Sequence, residues 1–359
     1  MDVKFGIEHG TNSSFILMKT DTYLKSIKYA ESVGYDSVFI MDHLNHTPPR
    51  AEIPSCNVLL GWAAAETKNI EIGSSVTDPH RKHPAQIALD SLTMQRITEN
   101  RFILGIGTGE GMNLTDFGVQ WNKPVKRLKE AIEVIKLLWK TSQSRKLTVN
   151  YSGEFYNLKN ARLQYPTKVL PKLWIAANGP KMIEFAGKHA DGWIPINYSP
   201  KLYKKHLTQL RKAGRIDEIV KACEIFVFIS DENPDKAHEV GRTVGASICL
   251  NPELLDDYNI TISEELNSQQ VFKLPMTELL KYTDKLRDYA LENIPEDIIE
   301  AVIIAGSSDE VIEQICEYTD AGAEYFIIEL FGLGNYFDAL DLFTNKVFSY
   351  FKGTDKVIQ

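Results

Sequence analysis

The residues best placed to do chemistry in this chain lie in a few short stretches, and the most telling is RFILGIGTGE, residues 101–110. An apolar run enters glycines 105, 107 and 109, with Thr108 between the last two and the carboxylate of Glu110 at the end. Glycines let backbone approach a ligand closely, and their N–H groups beside a threonine hydroxyl can hold a phosphate. The same pattern also serves as a plain tight turn, so its meaning depends on what converges with it. His43 follows another apolar run, and an imidazole of pKa about 6.5 gives or takes a proton at neutral pH. Glu110 is the second candidate for proton transfer. Pro180, after Asn178 and Gly179, suits the first turn of a helix whose N-terminal N–H groups would face an anion. Asn178 could equally cap that helix with no anion present. Two HxxH spacings, His43/His46 and His80/His83, lack the glutamate and the i, i+4 spacing of a zinc helix. His46, His80 and His83 are read as solvated rim histidines, with no metal assigned.

These groups need a scaffold, and the chain alternates short β-rich runs with helix-length amphipathic segments, the pattern of parallel strands joined by helical crossovers. The expected strands are Val3–Glu8, Ser37–Met41, Ile70–Thr77, Phe102–Gly107, Leu173–Ala177, Gly192–Ile196, Glu224–Ile229, Val302–Ala305 and Glu324–Leu330. Nine segments are one more than a closed eight-stranded (β/α)8 TIM barrel needs, and suit it better than an open sheet. A helix over Lys123–Lys140 would lay Leu128, Ala131, Ile132, Ile135, Leu138 and Trp139 along one face. Ser307 to Glu310 has capping-box spacing for another helix, ending near Gly322. At Val33-Gly34-Tyr35-Asp36 and Ala321-Gly322-Ala323-Glu324 a glycine closes a helix and an acid opens a strand, a repeated structural joint. From about Asn233 to Pro295 the alternation breaks without a clear strand. We read the chain as one domain, 1–359, with an insertion at 233–295 near the barrel mouth, a usual source of substrate lids. In a barrel, function sits at the C-terminal strand ends, and there ionisable and glycine-rich residues gather.

Composition sets the bounds. With 359 residues and a net charge of −8, a nucleic-acid surface is a poor fit, because the basic residues are scattered. No stretch approaches the roughly 18 apolar residues of a membrane span, and no basic, apolar leader opens the chain. Cys56, Cys223, Cys249 and Cys316 are far apart, which fits reduced thiols in core positions of a cytoplasmic protein.

Taken together, FGIE at 5–8, Asp42-His43, GSSVT at 73–77, GIGTGE at 105–110 and ANGPKMIEFAGKHADGW at 177–193 resemble the luciferase-like family of flavin and deazaflavin enzymes. Within that family the likeness is to the branch using coenzyme F420. The pieces around Trp121-Asn-Lys-Pro124 and Gly179–Lys201 are similar to methylenetetrahydromethanopterin reductases. GTGE followed by Asn113 resembles the F420-dependent sugar-phosphate and alcohol dehydrogenases.

The resemblance implies a hydride transfer between the deazaflavin C5 and a small organic substrate, first methylenetetrahydromethanopterin or a related pterin, then an alcohol or carbonyl compound. It implies a non-prolyl cis peptide at Ser75-Val76 backing the cofactor ring. Thr108, Gly109, Asn178, Gly179 and Pro180 would hold the cofactor phosphate, and Asp42 joins them as a cofactor contact. His43 and Glu110 match proposed acid/base groups, and Glu8 matches an acid near the ring that would share a proton with Glu110. Their plainer readings are a hydrogen bond from His43 to the ring and an ion pair from Glu8 to a neighbouring basic residue. Where sugar-phosphate dehydrogenases carry a basic residue, this chain reads Glu300-Ala301-Val302, which argues against a sugar phosphate. Asp42-His43-Leu44-Asn45 lacks the aromatic that follows the histidine in many dehydrogenases. Lys201 or Lys204 could meet an anionic substrate or the cofactor tail. A homodimer is expected from the family. The alternatives are a flavin mononucleotide (FMN)-dependent monooxygenase and a non-catalytic flavin- or deazaflavin-binding barrel.

Overall fold

The structure is a computed structural model that describes residues 3–9, 19–46 and 52–353. Its strands are β1 (Lys4–His9), β2 (Ser37–Ile40), β3 (Glu71–Ser74), β4 (Phe102–Ile106), β5 (Val149–Ser152), β6 (Asn157–Ala161), β7 (Lys172–Ala176), β8 (Gly192–Ile194), β9 (Val220–Ile229), β10 (Ile304–Gly306) and β11 (Tyr325–Gly332). Parallel pairing runs β1-β2-β3-β4-β7-β8-β9-β11 and returns to β1, closing an eight-stranded barrel. The (β/α)8 barrel expected from the alternation is therefore the fold. All nine expected strands form; β5 and β6, an antiparallel outer hairpin, were not foreseen. The one beyond the eight the ring needs is β10, expected as Val302–Ala305, which stands outside it. β8 pairs with β9 only as far as Lys221, with a bridge at Glu224, and β10 takes the same edge from Val227 to Ile229.

Helices cover the barrel as α1 (Thr20–Val33), α2 (Cys56–Glu66), α3 (Pro84–Ile97), α4 (Gly111–Leu114), α5 (Pro124–Ser142), α6 (Pro180–His189) and α7 (Pro200–Arg211). The six apolar positions foreseen on α5 are all buried, its leucines and isoleucines each contributing about 1.5–3 kcal/mol where fully removed from water. Trp139 also donates its indole N–H to Ser91 Oγ at 3.0 Å, tying α5 to α3. Gly34 closes α1 at φ 90°.

Residues 233–295 fold as α8 (Pro234–Ile248), α9 (Pro252–Leu255), three 3-10 turns and α10 (Met276–Asn293), before α11 (Glu296–Glu300) leads into β10. No strand lies in this stretch. Met276 and Leu279 of α10 pack on Met112 of α4, and the Met276 N–H donates to Asp116 at 2.9 Å. The chain ends through α12 (Ser308–Ala321), β11 and α13 (Tyr336–Leu342). The capping box forms, with Ser307 N–H donating to Glu310 at 2.7 Å, and Gly322 closes α12 at φ 107°. Among the described residues, no helix is long and apolar enough to cross a membrane.

Aromatic and aliphatic side chains plug the lower barrel, among them Phe39, Ile103, Trp174, Tyr325 and Ile327. Trp174 meets Tyr325 edge-on at 5.0 Å, and Tyr325 donates its hydroxyl to Ser37 Oγ at 2.7 Å. The plug closes one end, so any ligand space lies towards the C-terminal strand ends. Cys56, Cys223 and Cys249 are buried, and no cysteine is in a disulfide.

Candidate active site

A cavity of about 820 Å³ opens over those strand ends. The catalytic and cofactor candidates singled out in the sequence line it: Glu8, Asp42, His43, Ser75, Val76, Thr108, Gly109, Glu110, Asn178, Gly179 and Pro180. The strand-end rule of barrels, combined with the plug below, brings together groups up to 172 residues apart.

The Ser75-Val76 peptide is cis. Hydrogen bonds pass on either side of it, from Ser75 N–H to Ile40 O at 3.0 Å and from Thr77 N–H to Gly105 O at 3.0 Å. Two glycines of the 101–110 stretch serve this bulge. A Cβ on Gly105 would lie 2.0 Å from Ser74 O, and one on Gly107 would lie 2.7 Å from Val76 Cγ2. Those glycines make room for the chain at Ser74–Val76, and Gly107 lines the cavity as well. Gly109 takes φ +74° and lines the cavity beside Thr108. Thr108 is held from behind, its carbonyl accepting the Trp121 indole N–H at 3.0 Å.

At the other wall, Gly179 is the N-cap of α6 and no side chain caps that helix. A Cβ on Gly179 would meet nothing within 4 Å, so space is left at the helix N-terminus. Asn178 does not cap the helix. Its Oδ1 accepts from Ile196 N–H at 3.2 Å and its carbonyl accepts from Tyr198 Oη at 2.5 Å. An uncapped helix start with a threonine hydroxyl across from it fits a phosphate.

The proton-active groups meet at His43 and Glu110, whose Nε2 and Oε2 are 3.7 Å apart. Burial, helped by His46 stacked at 5.3 Å and by Arg81, holds the His43 pKa well below the usual histidine value. Burial, with the charge of Asp78, pushes Glu110 up to about 7. A neutral imidazole therefore faces a carboxyl that changes charge near neutrality. His43 Nδ1 and Glu110 Oε2 are both buried and make no hydrogen bond among the described residues. Asn113 fixes the loop after His43, its Oδ1 accepting from the N–H groups of Leu44 at 2.7 Å and Asn45 at 3.0 Å.

Glu8 sits in the cavity wall among other acids. Its close partners are Glu224 of β9 and Glu329 of β11, with one carboxylate oxygen from each lying within 4.8 Å of the others. Burial first, then this crowding, raises Glu8 and Glu329 well above the ordinary value, and burial takes Glu224 to about 7. The charge of Glu110 adds to the rise of both Glu224 and Glu329. Ser75 donates its hydroxyl to Glu224 at 3.0 Å, joining the acids to the cis bulge. The signal for Glu224 and Glu329 was available: each is an acid inside an otherwise apolar strand, which a barrel tolerates where it faces a site.

Arg81 and Asp78 were also missed. Asp42 Oδ2 accepts from Thr77 Oγ1 and Lys82 Nζ, each at 2.6 Å, and lies 3.5 Å from Arg81. Asp42 thus first anchors two cations. Arg81 Nε also pairs with Asp78 at 2.5 Å. The histidines are not uniformly solvated: the His80 side chain is 1% exposed beside Asp78, and His83 Nδ1 caps α3 by accepting from Ala85 N–H at 3.1 Å. Lys201 reaches the Asp257 carbonyl at 3.2 Å, and neither it nor Lys204 lines the cavity. Glu300 pairs with Arg242 at 3.1 Å and His238 at 3.0 Å, also away from the lining.

The cis bulge, the uncapped start of α6 and the buried His43–Glu110 pair thus share one cavity at the mouth of the barrel. The luciferase-like monooxygenase family model matches residues 4–325, and the chain belongs to the luciferase-like family. It is 29% identical over 329 residues to a 5,10-methylenetetrahydromethanopterin reductase of Archaeoglobus fulgidus, covering 89% of this chain and 91% of that protein. It is 28% identical over 341 residues to a phthiodiolone/phenolphthiodiolone dimycocerosates ketoreductase of Mycobacterium bovis, covering 84% and 86%. Among solved structures, a coenzyme F420-dependent tetrahydromethanopterin reductase from Methanopyrus kandleri has a TM-score of 0.76 at 25% identity, covering 98% of this chain and 100% of that one. An F420-dependent secondary alcohol dehydrogenase in complex with an F420-acetone adduct shares the fold, with a TM-score of 0.75 at 23% identity, covering 96% and 98%.

Proposed function

We propose that this protein is a coenzyme F420-dependent oxidoreductase that transfers a hydride between the deazaflavin C5 and a small organic substrate. The observation that carries the reading is the His43–Glu110 pair, 3.7 Å apart, in a cavity also lined by the cis bulge and the uncapped start of α6. Thr108, Gly109, Gly179 and the first turn of α6 would hold the cofactor phosphate, and Ser75-Val76 would back its ring. A bound deazaflavin supplies a two-electron hydride carrier.

The protein's own residues then do three things. The strand ends orient the partners, which lowers the entropic part of the barrier. His43, neutral at pH 7, accepts a proton from a substrate hydroxyl or passes one back from Glu110. Residues 233–295 roof the cavity and limit water, the role we assign to the insertion. Pterin and alcohol or carbonyl substrates both have a counterpart among the relatives. The reading includes a cytoplasmic homodimer, the dimer being checked by sedimentation.

The rival is an FMN-dependent monooxygenase, favoured by the description of the family model and by a structural neighbour solved in complex with FMN, at 18% identity. Titrating the purified protein with oxidised F420 and separately with FMN, followed by fluorescence quenching, separates the two. Selective F420 binding, lost in Gly109→Val, supports the proposal. Preference for FMN sinks it, and binding neither favours a non-catalytic barrel.

A further inference from the structure

We infer that Tyr198 and His206 are positioning residues for the loop at the start of α6, and that His206 acts as a buried imidazolium whose charge is answered by Glu253 of the 233–295 segment. The cofactor phosphate this loop would hold belongs to the F420 reading, whereas the proton count and the grip on Asn178 stand without it.

Four groups stand in line. The Asn178 carbonyl accepts from Tyr198 Oη at 2.5 Å, Tyr198 Oη meets His206 Nδ1 at 2.7 Å, and His206 Nε2 lies 2.8 Å from Glu253 Oε2. The His206 side chain is 1% exposed, so these protein atoms, and not bulk water, decide where its protons sit. A carbonyl only accepts, and a phenol has one proton to give. Spent on Asn178, that proton leaves Tyr198 Oη as the acceptor, so His206 Nδ1 carries hydrogen. Burial first, then Glu253 and Cys223, raises the Tyr198 hydroxyl well above its ordinary value, and Tyr198 keeps its proton. At the other end the His206 contact holds Glu253 below the usual carboxylate range, and an ionised carboxylate also only accepts. Nε2 therefore carries hydrogen as well, and a ring with both is charged. The other titratable neighbours do not supply that charge: burial raises Cys223, Tyr203 and Tyr318, which stay neutral, and Lys205 acts on Glu253.

The line matters because of its two ends. Asn178 lines the cavity and precedes Gly179, the N-cap of α6. The peptide between them is planar and trans, so a carbonyl drawn back to Tyr198 aims the Gly179 N–H the opposite way. Glu253 sits in the first turn of α9, and just before it the Leu250 carbonyl accepts from Ser268 N–H at 2.8 Å, next to Gln269 in the cavity lining. One line thus ties the roof segment to the loop. When Nδ1 loses its proton and Nε2–H stays on Glu253, Tyr198 turns its own proton to the bare nitrogen and the Asn178 carbonyl loses its donor. Alkali should then loosen the loop.

The test begins with the full chain, free of cofactor and carrying isotope-labelled histidine. At pH 7 a proton–nitrogen correlation should show both ring nitrogens of His206 protonated, the signals being assigned by their absence in His206→Leu. A bare Nδ1 or Nε2 at that pH overturns the inference. Hydrogen exchange of residues 178–183 and F420 affinity are then compared from pH 6 to 9 with His206→Leu, where nothing competes for the Tyr198 proton, and with Tyr198→Phe, where there is none. The native protein should match His206→Leu while both ring protons are seen, and shift towards Tyr198→Phe wherever the Nδ1 proton is lost. Tyr198→Phe should exchange faster and bind F420 about tenfold more weakly at every pH. Native-like exchange in Tyr198→Phe, or a native loop that stays tight after the Nδ1 proton has gone, refutes the positioning role. Failure of the native protein to bind F420, with the exchange pattern as expected, overturns the cofactor reading alone.

Discussion

Replacing Glu224 by glutamine should make the protein more stable at alkaline pH and change little at acid pH. Glu224 rises from the ordinary 4.5 to about 7 because the fold buries it in a cavity wall beside other acids. A raised carboxyl adds stability that is fully present below pH 4.5 and is lost as pH climbs through about 7, since the folded protein keeps a proton that the unfolded chain has released. From 4.5 to about 7, at about 1.4 kcal/mol per pH unit, the loss amounts to about 3 kcal/mol. Glutamine cannot ionise, yet its carbonyl still accepts from Ser75, so the hydrogen bond at 3.0 Å is kept. For a chain of 359 residues, with a melting entropy of about 2.1 cal/mol/K per residue, about 3 kcal/mol corresponds to about 4 °C. Differential scanning fluorimetry of both proteins, purified without added cofactor, from pH 5 to 8.5 would read this as curves that separate with rising pH. Parallel curves would refute the reasoning, because the buried carboxyl would then not be titrating across the transition.

Three further changes probe other parts of the site. Gly107→Ala places a methyl 2.7 Å from Val76 Cγ2, and should cost about 1–3 kcal/mol and weaken F420 binding, read by chemical denaturation and quenching titration. Glu110→Gln should lower kcat by about a hundredfold with F420 affinity kept. It should also remove the limb near pH 7 from the rate profile, which in the native enzyme favours oxidation above that pH and reduction below it. Gly111→Ala drives a methyl to 2.5 Å from the Lys273 backbone, so limited proteolysis should cut residues 256–275 faster than in the native protein.

The barrel was legible because alternation of strand and helix is written in hydrophobic period, and each strand end could be read for its polar residues. Those ends supplied His43, Glu110 and Asn178 without any knowledge of contacts. Contacts across the ring were not legible. Glu8, Glu224 and Glu329 are far apart in sequence and meet only because β1, β11 and β9 are neighbours, a fact of closure rather than of spacing. Gly105 was read as ligand room because a sequence shows an absent side chain but not what fills the space. His80 was read as solvated for a related reason: nothing local announces that Tyr156, 76 residues on, would pack over this turn, donating to Pro79 O at 2.8 Å.

The handover on β9, where β8 leaves the edge and β10 takes it from Val227 to Ile229, constrains how this barrel can be remodelled. The long excursion after β9 is sewn back into the sheet at its exit, so excising it along with β10 would uncover a bare ladder edge next to the mouth. Such an edge invites pairing with another chain. Exchange of roof sequences between relatives should therefore keep 304–306 in place and graft only what lies upstream, or the hybrid will trade a new specificity for aggregation.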